Sequence, residues 1–295
     1  MKRILVTGAT GKQGSAAAYE LLKNNFEVFA LTRNPQSSKA VDLKKAGAIL
    51  VKGDLEGIED LSGIFKKVDG LYLVLPPVWV SSRESDEKEA EIGMRTIKLA
   101  EEQGVKFVLY SSVLGSDKQN LFRPKFKFTI EKYLLESNLQ GAVIRPASFM
   151  ENLLLPSFGL AEDKFVNPLP EEKAISWVAT NDIGTFARII FQNYKAFNGK
   201  TVDFGDKLFT PKQVLNLLEE KLNQPIKFVQ VPLAILYQQS ETFAKLVEMI
   251  DKEGYDPIDY RFISSWMPKL TGFEQWMDEI GIEKIKELRS VDDQS

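Results

Sequence analysis

The octapeptide TGATGKQG, residues 7–14, decides the fold of this 295-residue chain. It follows the apolar run ILV at 4–6 and precedes a segment in which alanines and leucines recur at helical spacing. The glycines at positions 8, 11 and 14 permit, in that order, a tight turn, close approach of a ligand to the backbone, and close packing of the helix on the strand. The N–H groups and partial positive charge at the start of such a helix favour phosphate. We therefore predict that Gly8, Gly11 and Gly14 hold a diphosphate, with a glycine-rich turn of another α/β protein as the alternative.

The residues after the second predicted strand indicate which dinucleotide would fit this turn. The strand at 26–31 is followed by Thr32-Arg33-Asn34, without the carboxylate that grips a ribose 2′-hydroxyl in NAD sites. The Arg33 guanidinium can instead form two parallel hydrogen bonds with a 2′-phosphate. The sequence therefore predicts NADP(H) in preference to NAD(H), and the alternative is that Arg33 is a solvated loop charge.

Further candidate contacts to such a cofactor lie in the glycine turn and after the third strand. Thr10, Lys12 and Gln13 belong to the turn, where their side chains can reach the phosphates. Asp54 and its neighbour Leu55 follow the third strand, at the edge where an adenine would lie. The Asp54 carboxylate either accepts a hydrogen bond from the adenine amino group or stabilises a local turn as an N-cap residue, and the sequence leaves both interpretations open.

The first half of the chain alternates short apolar strands with helical segments. This pattern is typical of a parallel sheet covered by helices on both faces, and right-handed crossovers favour a doubly wound, Rossmann-type α/β fold. The rhythm breaks near residue 148, so we predict a dinucleotide-binding domain at 1–148 and a smaller α+β cap or substrate region at 149–295. Strands are expected at 3–6, 26–31, 48–51, 70–75, 105–110 and 142–145, and in the second part at 174–178, 200–204 and 226–231.

Composition excludes several kinds of chemistry. The chain has no cysteine and no histidine, which removes disulfides, thiolate nucleophiles and Ser-His-Asp triads. With 38 basic and 41 acidic side chains and no long basic run, the sequence argues against direct nucleic-acid binding. No apolar run approaches the ~18 residues of a membrane span, and the run at 4–6 is too short for a signal peptide. We therefore expect no membrane partner and a cytoplasmic protein.

Several motifs together resemble a known family. They are TGATGKQG at 7–14, LTRNP at 31–35, GD at 53–54, VKFVLYSS at 105–112, RPASFMENLL at 145–154, NDIG at 181–184 and FEQWMDEIG at 273–281. This set resembles the NmrA-like branch of the atypical short-chain dehydrogenases/reductases, over nearly the whole chain. The glycine turn is shared with many relatives, whereas the Phe-x-x-Asn element after the sixth strand is more specific to this branch.

The resemblance implies a Rossmann-type fold, NADP(H) as the cofactor, and a set of contacts to it. In addition to the glycine turn, the family uses residues after the second, third and fourth strands, a lysine in the helix after the fifth strand, and a segment after the sixth. The matching positions in this sequence are Arg33, Asp54, Pro76, Pro77, Lys127, Phe149 and Asn152.

One part of the usual catalytic pattern is missing. Ordinary short-chain dehydrogenases use Tyr-x-x-x-Lys, but Arg123 stands four residues before Lys127. Lys127 is therefore a candidate electrostatic or proton-relay group, or else a surface charge beside Lys125. Ser112, which follows Ser111 at the carboxyl end of the fifth strand, can bond a substrate carbonyl, or else it serves as a structural strand-end residue.

Two functions remain open on these grounds. The favoured one is NADPH-dependent reduction of a small carbonyl or quinone-type compound, because the cofactor carries the hydride chemistry and the protein chiefly positions it. The missing tyrosine favours the alternative, a non-catalytic NADP(H)-binding redox sensor that regulates a protein partner, as some members of the family do. A sugar-nucleotide epimerase shares the fold but normally needs that tyrosine.

Apolar segments offer surfaces for a substrate and for self-association. Side chains within 76–82, 111–122 and 149–158 can line a pocket for a flat or aliphatic substrate, or else pack the sheet against the cap. An apolar stripe on the predicted helix at 233–251 is typical of a core face, and a homodimer seam is the alternative.

Overall fold

The computed structural model describes residues 1–75, 83–117, 125–254 and 258–292. Strands and helices alternate from the start of the chain, as the sequence predicts. The first elements are β1 (Arg3–Val6), α1 (Lys12–Lys23), β2 (Glu27–Thr32), α2 (Ser38–Lys45), β3 (Ile49–Lys52), α3 (Ser62–Phe65), β4 (Gly70–Val74), α4 (Arg83–Glu102), β5 (Phe107–Ser111), α5 (Lys125–Glu136) and β6 (Gln140–Pro146).

The second half is less regular and contains many short elements. They are β7 (Ser148–Phe149), β8 (Lys164–Asn167), β9 (Ile175–Val178), α6 (Thr180–Gln192), α7 (Tyr194–Phe197), β10 (Thr201–Phe204), β11 (Leu208–Phe209), α8 (Pro211–Leu222), β12 (Lys227–Gln230), α9 (Leu233–Gln239), α10 (Glu241–Glu253), α11 (Tyr260–Trp266), α12 (Phe273–Trp276) and α13 (Ile282–Asp292).

A sheet of seven parallel strands forms the centre of the first unit. Its strand order is β10-β6-β5-β4-β1-β2-β3. The chain moves outward from β1 through β2 to β3 and then returns to place β4 on the other side of β1. This reversal of winding direction leaves a crevice at the carboxyl ends of β1 and β4, where doubly wound folds bind ligands.

Burial follows from the position of the strands within the sheet. Every residue of β4 and β5 is buried, because helices cover both faces of a parallel sheet. Side chains of α4 and α5, among them Ile97 and Ile130, pack with strand residues such as Val108 in one apolar cluster. On the other face α6 packs closely on α1, since a Cβ on Gly184 would lie 2.6 Å from the carbonyl oxygen of Ala16.

The chain divides into two compact units, and the division differs from the predicted boundary at 148/149. Among the described residues, the first unit comprises 1–75, 83–117, 125–146 and 180–203, and the second comprises 147–179, 204–254 and 258–292. The segment 180–203, which the sequence grouped with the cap, thus belongs to the first unit. The amide of Gly199 donates to the carbonyl of Gly141, and the amide of Val143 donates to the carbonyl of Lys200, which makes β10 the seventh strand.

The second unit is a mixed α+β structure with its own core. It contains a three-stranded sheet, β11-β9-β7, and the pair β12-β8. The helix predicted at 233–251 is two helices, because Ser240 takes an extended backbone conformation and accepts a hydrogen bond from Phe243 N as the cap of α10. Leu236 and Ile250 are buried in the core of this unit, as the core interpretation of the stripe requires.

None of the described helices combines the length and the apolar character that a bilayer crossing requires.

Candidate functional site

Thr7 fixes the crevice at the carboxyl ends of β1 and β4. Its hydroxyl accepts a hydrogen bond from Val74 N at 2.7 Å and donates to Val74 O at 2.8 Å, while its amide donates to Tyr72 O at 3.1 Å. The Thr7 side chain is fully buried, so these bonds are shielded from water. They hold the two strand ends together directly before the glycine turn begins.

The three glycines of the turn are required by backbone geometry. Gly8 is exposed and has φ +57°, in the left-handed region, and a Cβ there would lie 3.1 Å from Val74 Cγ1. A Cβ on Gly14 would lie 2.2 Å from Gly8 O, which no side chain could tolerate. Gly11 N donates to the same oxygen at 2.9 Å. The backbone is therefore folded into a cradle that only glycine can form.

The first turn of α1 meets this cradle without a side-chain cap. Gly11 is the N-cap residue, and no side chain among the described residues caps the helix there. The amide groups and dipole of the helix start are thus directed at the crevice, an arrangement that suits a diphosphate. Thr10 and Lys12, two further predicted contacts, are half-buried in the same turn.

Gln13 is turned toward the sheet. Its Oε1 accepts hydrogen bonds from Ser111 Oγ at 2.7 Å and from the Tyr72 hydroxyl at 3.4 Å. Burial raises the pKa of Tyr72, so this phenol stays protonated and donates. The side-chain oxygen of Gln13 thus anchors α1 to β4 and β5, and its contact with a phosphate stays a prediction.

Arg33 and Asp54 lie together at the carboxyl ends of β2 and β3. The distance from Arg33 Nε to Asp54 Oδ2 is 3.9 Å, and the side chains are 84% and 47% exposed. Asp54 also caps the following turn by accepting a hydrogen bond from Glu56 N at 3.2 Å, as the turn interpretation predicts. Leu55 begins that turn and packs on the core. Such an exposed and long ion pair leaves the guanidinium available to an anionic ligand.

The Ser112 hydroxyl is engaged in a buried ion-pair network. Ser112 and Ser116 both donate to the carboxylate of Glu131, which is 1% exposed. Arg145 donates to the same carboxylate, with 2.6 Å between Nη2 and Oε2, and its Nη1 lies 2.6 Å from Asp117 Oδ2. This arrangement favours the structural interpretation of Ser112 over the catalytic one.

Lys127 is buried, so the interpretation as a surface charge is wrong. It is 4% exposed, its ammonium forms an ion pair with Glu89 of α4, and its Nζ lies 5.4 Å from the centroid of the Phe126 ring. Burial raises the pKa of Glu89, although Lys127 acts in the opposite direction. Tyr110 of β5 is fully buried, and desolvation together with the charges of Glu89 and Glu131 holds its pKa well above the ordinary value.

The partners of Lys127 and Ser112 are residues that the sequence did not reveal. Glu89 lies 38 residues from Lys127 along the chain, and Glu131 lies 19 residues from Ser112. Neither pairing follows from helical periodicity or from a motif. The only indication in the sequence is that Lys127 and Glu131 are four residues apart, and so share one face of α5.

The remaining predicted contacts lie elsewhere. Pro76 and Pro77 fall outside the described residues. Phe149 ends β7, where it pairs with Val178, and Asn152 is buried in the 3₁₀ turn Met150–Leu154; both belong to the second unit. Their contact with a dinucleotide stays a prediction. No cluster of acidic side chains that could hold a metal ion occurs in the ranges that the structure describes.

Comparison with known proteins gives relatives of similar length. An NmrA-like family domain-containing protein of Dictyostelium discoideum is 28% identical over 303 residues, covering 95% of this chain and 98% of the relative. The structure of NmrA, a negative transcriptional regulator in complex with NADP, superposes with a TM-score of 0.75 at 19% identity and 97% coverage of both chains. Triphenylmethane reductase of Citrobacter sp. complexed with NADP(H) gives 0.76 at 16% identity, with 98% and 100% coverage.

These likenesses agree with the glycine cradle and the seven-stranded sheet. At such identities the two solved structures establish the fold alone. The family profile extends further, since it matches residues 1–277. The chain therefore belongs to the NmrA-like family.

Proposed function

We propose that this protein is an NADPH-dependent reductase of a small carbonyl or quinone-type compound. The observation that carries the proposal is the cradle at the start of α1, where a side chain on Gly14 would collide with the backbone oxygen of Gly8. Such a close approach of backbone to helix start is what a dinucleotide diphosphate needs. When bound, the nicotinamide supplies a hydride to the acceptor.

The preference for the 2′-phosphorylated dinucleotide rests on Arg33. Its side chain is 84% exposed, and its nearest acidic group, Asp54, is 3.9 Å away and half-exposed. A 2′-phosphate can compete for such a weakly held guanidinium, since arginine binds phosphate through two parallel hydrogen bonds. NmrA has been solved with NADP and with NAD, and triphenylmethane reductase with NADP(H), which supports a nicotinamide dinucleotide as the cofactor.

Lys127 is the residue to which we assign proton supply. Its side chain is buried against the Glu89 carboxylate, so this nitrogen lies in a part of the first unit that is shielded from water. After hydride transfer the substrate oxygen gains negative charge, and a positioned ammonium can donate to it. Ser111 and Ser112 receive no such role, because their hydroxyls already donate to Gln13 and Glu131.

Calorimetric titration with NADPH and NADH, followed by a turnover screen on the same sample, tests this proposal. We expect NADPH to bind more tightly and to be oxidised above buffer background by a panel of quinones and enals. Lys127→Ala should lower that rate by at least about tenfold, because a general acid typically contributes about a hundredfold or more. Lys132→Ala, an exposed lysine on the same helix, is the control and should leave the rate unchanged.

A second candidate function is an NADP(H)-binding redox sensor that acts on a regulatory protein partner. It is favoured by the engagement of both candidate catalytic groups, Lys127 with Glu89 and Ser112 with Glu131, and by Arg123 in place of a tyrosine. NmrA itself is described as a negative transcriptional regulator. Tight NADPH binding, together with rates of NADPH oxidation no higher than the buffer background for every acceptor, would support the sensor function over the reductase function.

A further inference from the structure

The second unit contains a cavity that the proposed reaction does not use. It has a volume of about 500 Å³, is open to solvent, and is lined by the β10–β11 turn, α11 and the start of α12. Cavities of this size hold small molecules of several rings. All its lining residues belong to the second unit and to the described part of the chain.

Two phenylalanines line one side of this cavity, where Phe209 is half-buried and Phe273 is 1% exposed. The rings of Phe209 and Phe273 are 5.1 Å apart at an interplanar angle of 32°. Trp177 packs edge-on against Phe273, with ring centroids 5.5 Å apart, which fixes the position of the Phe273 ring. Ile263 and Met267 of the same cavity are buried side chains. A flat aromatic ring is the shape that such a surface accommodates best.

One carboxylate among these apolar groups has no donor. The backbone of Asp206 is fixed, because its amide donates to Trp177 O at 2.6 Å and its carbonyl accepts from the Ser176 hydroxyl. Its side chain is half-buried, and Oδ2 would lie 3.9 Å from a Cβ on Gly272. Within the described residues no hydrogen bond or ion pair engages this carboxylate. A partly buried acceptor without a donor favours a ligand that supplies one.

Tyr260 stands close to this carboxylate and remains a neutral phenol. Burial and the negative charge of Asp206 raise the pKa of Tyr260 to about 12. The exposed side chains Lys207, Lys269 and Glu274 stand at the mouth. Together with Asp206 they give two positive and two negative charges. The net charge therefore does not select between anionic and cationic ligands, and the hydrogen-bonding groups of the ligand determine its affinity.

We propose that this cavity binds a flat aromatic compound bearing a phenolic hydroxyl, with its ring against Phe209 and its hydroxyl donating to Asp206. The ring replaces water next to Phe209, and the hydroxyl provides the donor that the carboxylate lacks. Binding at this site needs neither a dinucleotide nor turnover, so it stands independently of the reductase function.

Two probes that differ by methylation of the donor hydroxyl test the site on the full-length protein without dinucleotide. Calorimetric titration should give 2-naphthol an affinity at least about tenfold higher than that of 2-methoxynaphthalene, the effect of one hydrogen bond to a charged acceptor. Equal affinities, or no binding of either probe, would overturn the proposal. This comparison uses the wild-type chain and therefore does not depend on the folding of a variant.

Two variants then test which carboxylate accepts the hydrogen bond from the probe's hydroxyl. Asp206→Asn should reduce the ratio of the two affinities to below about threefold while the methyl ether binds as before. Glu274→Gln, which removes an exposed carboxylate at the mouth of the same cavity, is the matched control and should keep the full ratio. A ratio lost in Glu274→Gln but kept in Asp206→Asn would refute the assignment.

Discussion

The side-chain oxygen of Gln13 accepts a hydrogen bond of 2.7 Å from Ser111, which joins the first turn of α1 to the end of β5. This bond holds the helix start in place next to the glycine turn. We expect Ser111→Ala to lower the free energy of unfolding by about 1 kcal/mol and to weaken NADPH binding several-fold. Urea unfolding and calorimetry measure the two effects. Gln13→Ala should cost somewhat more, because it also removes the 3.4 Å bond from the Tyr72 hydroxyl, and adding Ser111→Ala to it should change little further.

Gly14 should be intolerant of even a methyl group. A Cβ there would lie 2.2 Å from Gly8 O, and because that atom belongs to the backbone, the turn itself must move. Gly14→Ala should cost about 1–3 kcal/mol of stability, as overpacking does, and abolish measurable NADPH binding. Gly63→Ala is the control, since its Cβ would meet no atom within 4 Å. Retained affinity in Gly14→Ala would mean that the dinucleotide does not use this turn.

Arg33→Ala should separate the two dinucleotides. Loss of a charge-assisted contact to the 2′-phosphate should weaken NADPH binding about tenfold or more, while NADH, which lacks that phosphate, should bind as before. Competition calorimetry with both dinucleotides measures the difference. Arg261→Ala serves as the control, because this exposed arginine lies in the second unit and pairs with Asp259 alone among the residues that the structure describes. An equal loss for NADPH and NADH would remove the basis of the preference.

The buried pair of Glu89 and Lys127 should show strong coupling. Glu89→Leu alone leaves a buried ammonium without its partner and should cost about 3–5 kcal/mol in the free energy of unfolding. Adding Lys127→Met should restore most of that loss, because two apolar side chains then replace the ion pair. Denaturant unfolding of the four species gives the coupling energy. Additive losses would show that the pair does not act as a unit, as we expect for the exposed pair Lys212–Glu172.

Asp69 should govern part of the stability in acid. Burial acts to raise its pKa, but hydrogen bonds from the amides of Arg3 and Lys2 and from Lys106 Nζ hold the pKa well below the ordinary 3.8. Since its pKa is lower in the folded state than in the unfolded state, the ionised carboxylate stabilises the fold above about pH 4, and this is lost as pH falls below 3.8.

Asp69→Asn tests this dependence. The variant should be less stable than wild type at pH 7, and the difference between the two should shrink between pH 4 and pH 2 when thermal unfolding is followed. Asp69 precedes β4, at the end of the strand opposite the glycine turn, so NADPH affinity should not change. A difference that is constant with pH would assign the effect to packing instead of charge.

The sequence predicted the sheet and the turn because both depend on local signals. Short apolar strands and glycines with fixed spacing are read within a few residues, and Gly8, Gly11 and Gly14 lie where the motif expects them. The seventh strand was grouped with the wrong neighbours, since four residues such as Thr201–Phe204 carry no information about which sheet they join.

Side-chain partners were beyond the reach of the sequence for a different reason. Gln13 and Ser111 are 98 residues apart, and Lys127 and Glu89 are 38 apart, so their contacts exist only after the sheet and helices have packed. Residue type gave the chemistry that each side chain could perform. Burial and a nearby partner of opposite charge determined what it does, and both are properties of the folded chain.

The late position of β10 has a consequence for synthesis. Its last residue, Phe204, must emerge from the ribosome before the edge of β6 is paired. Until then the nascent chain exposes the unpaired edge of β6, and exposed strand edges promote aggregation. Chaperones that bind incomplete chains would therefore act mainly between the translation of Pro146 and that of Phe204.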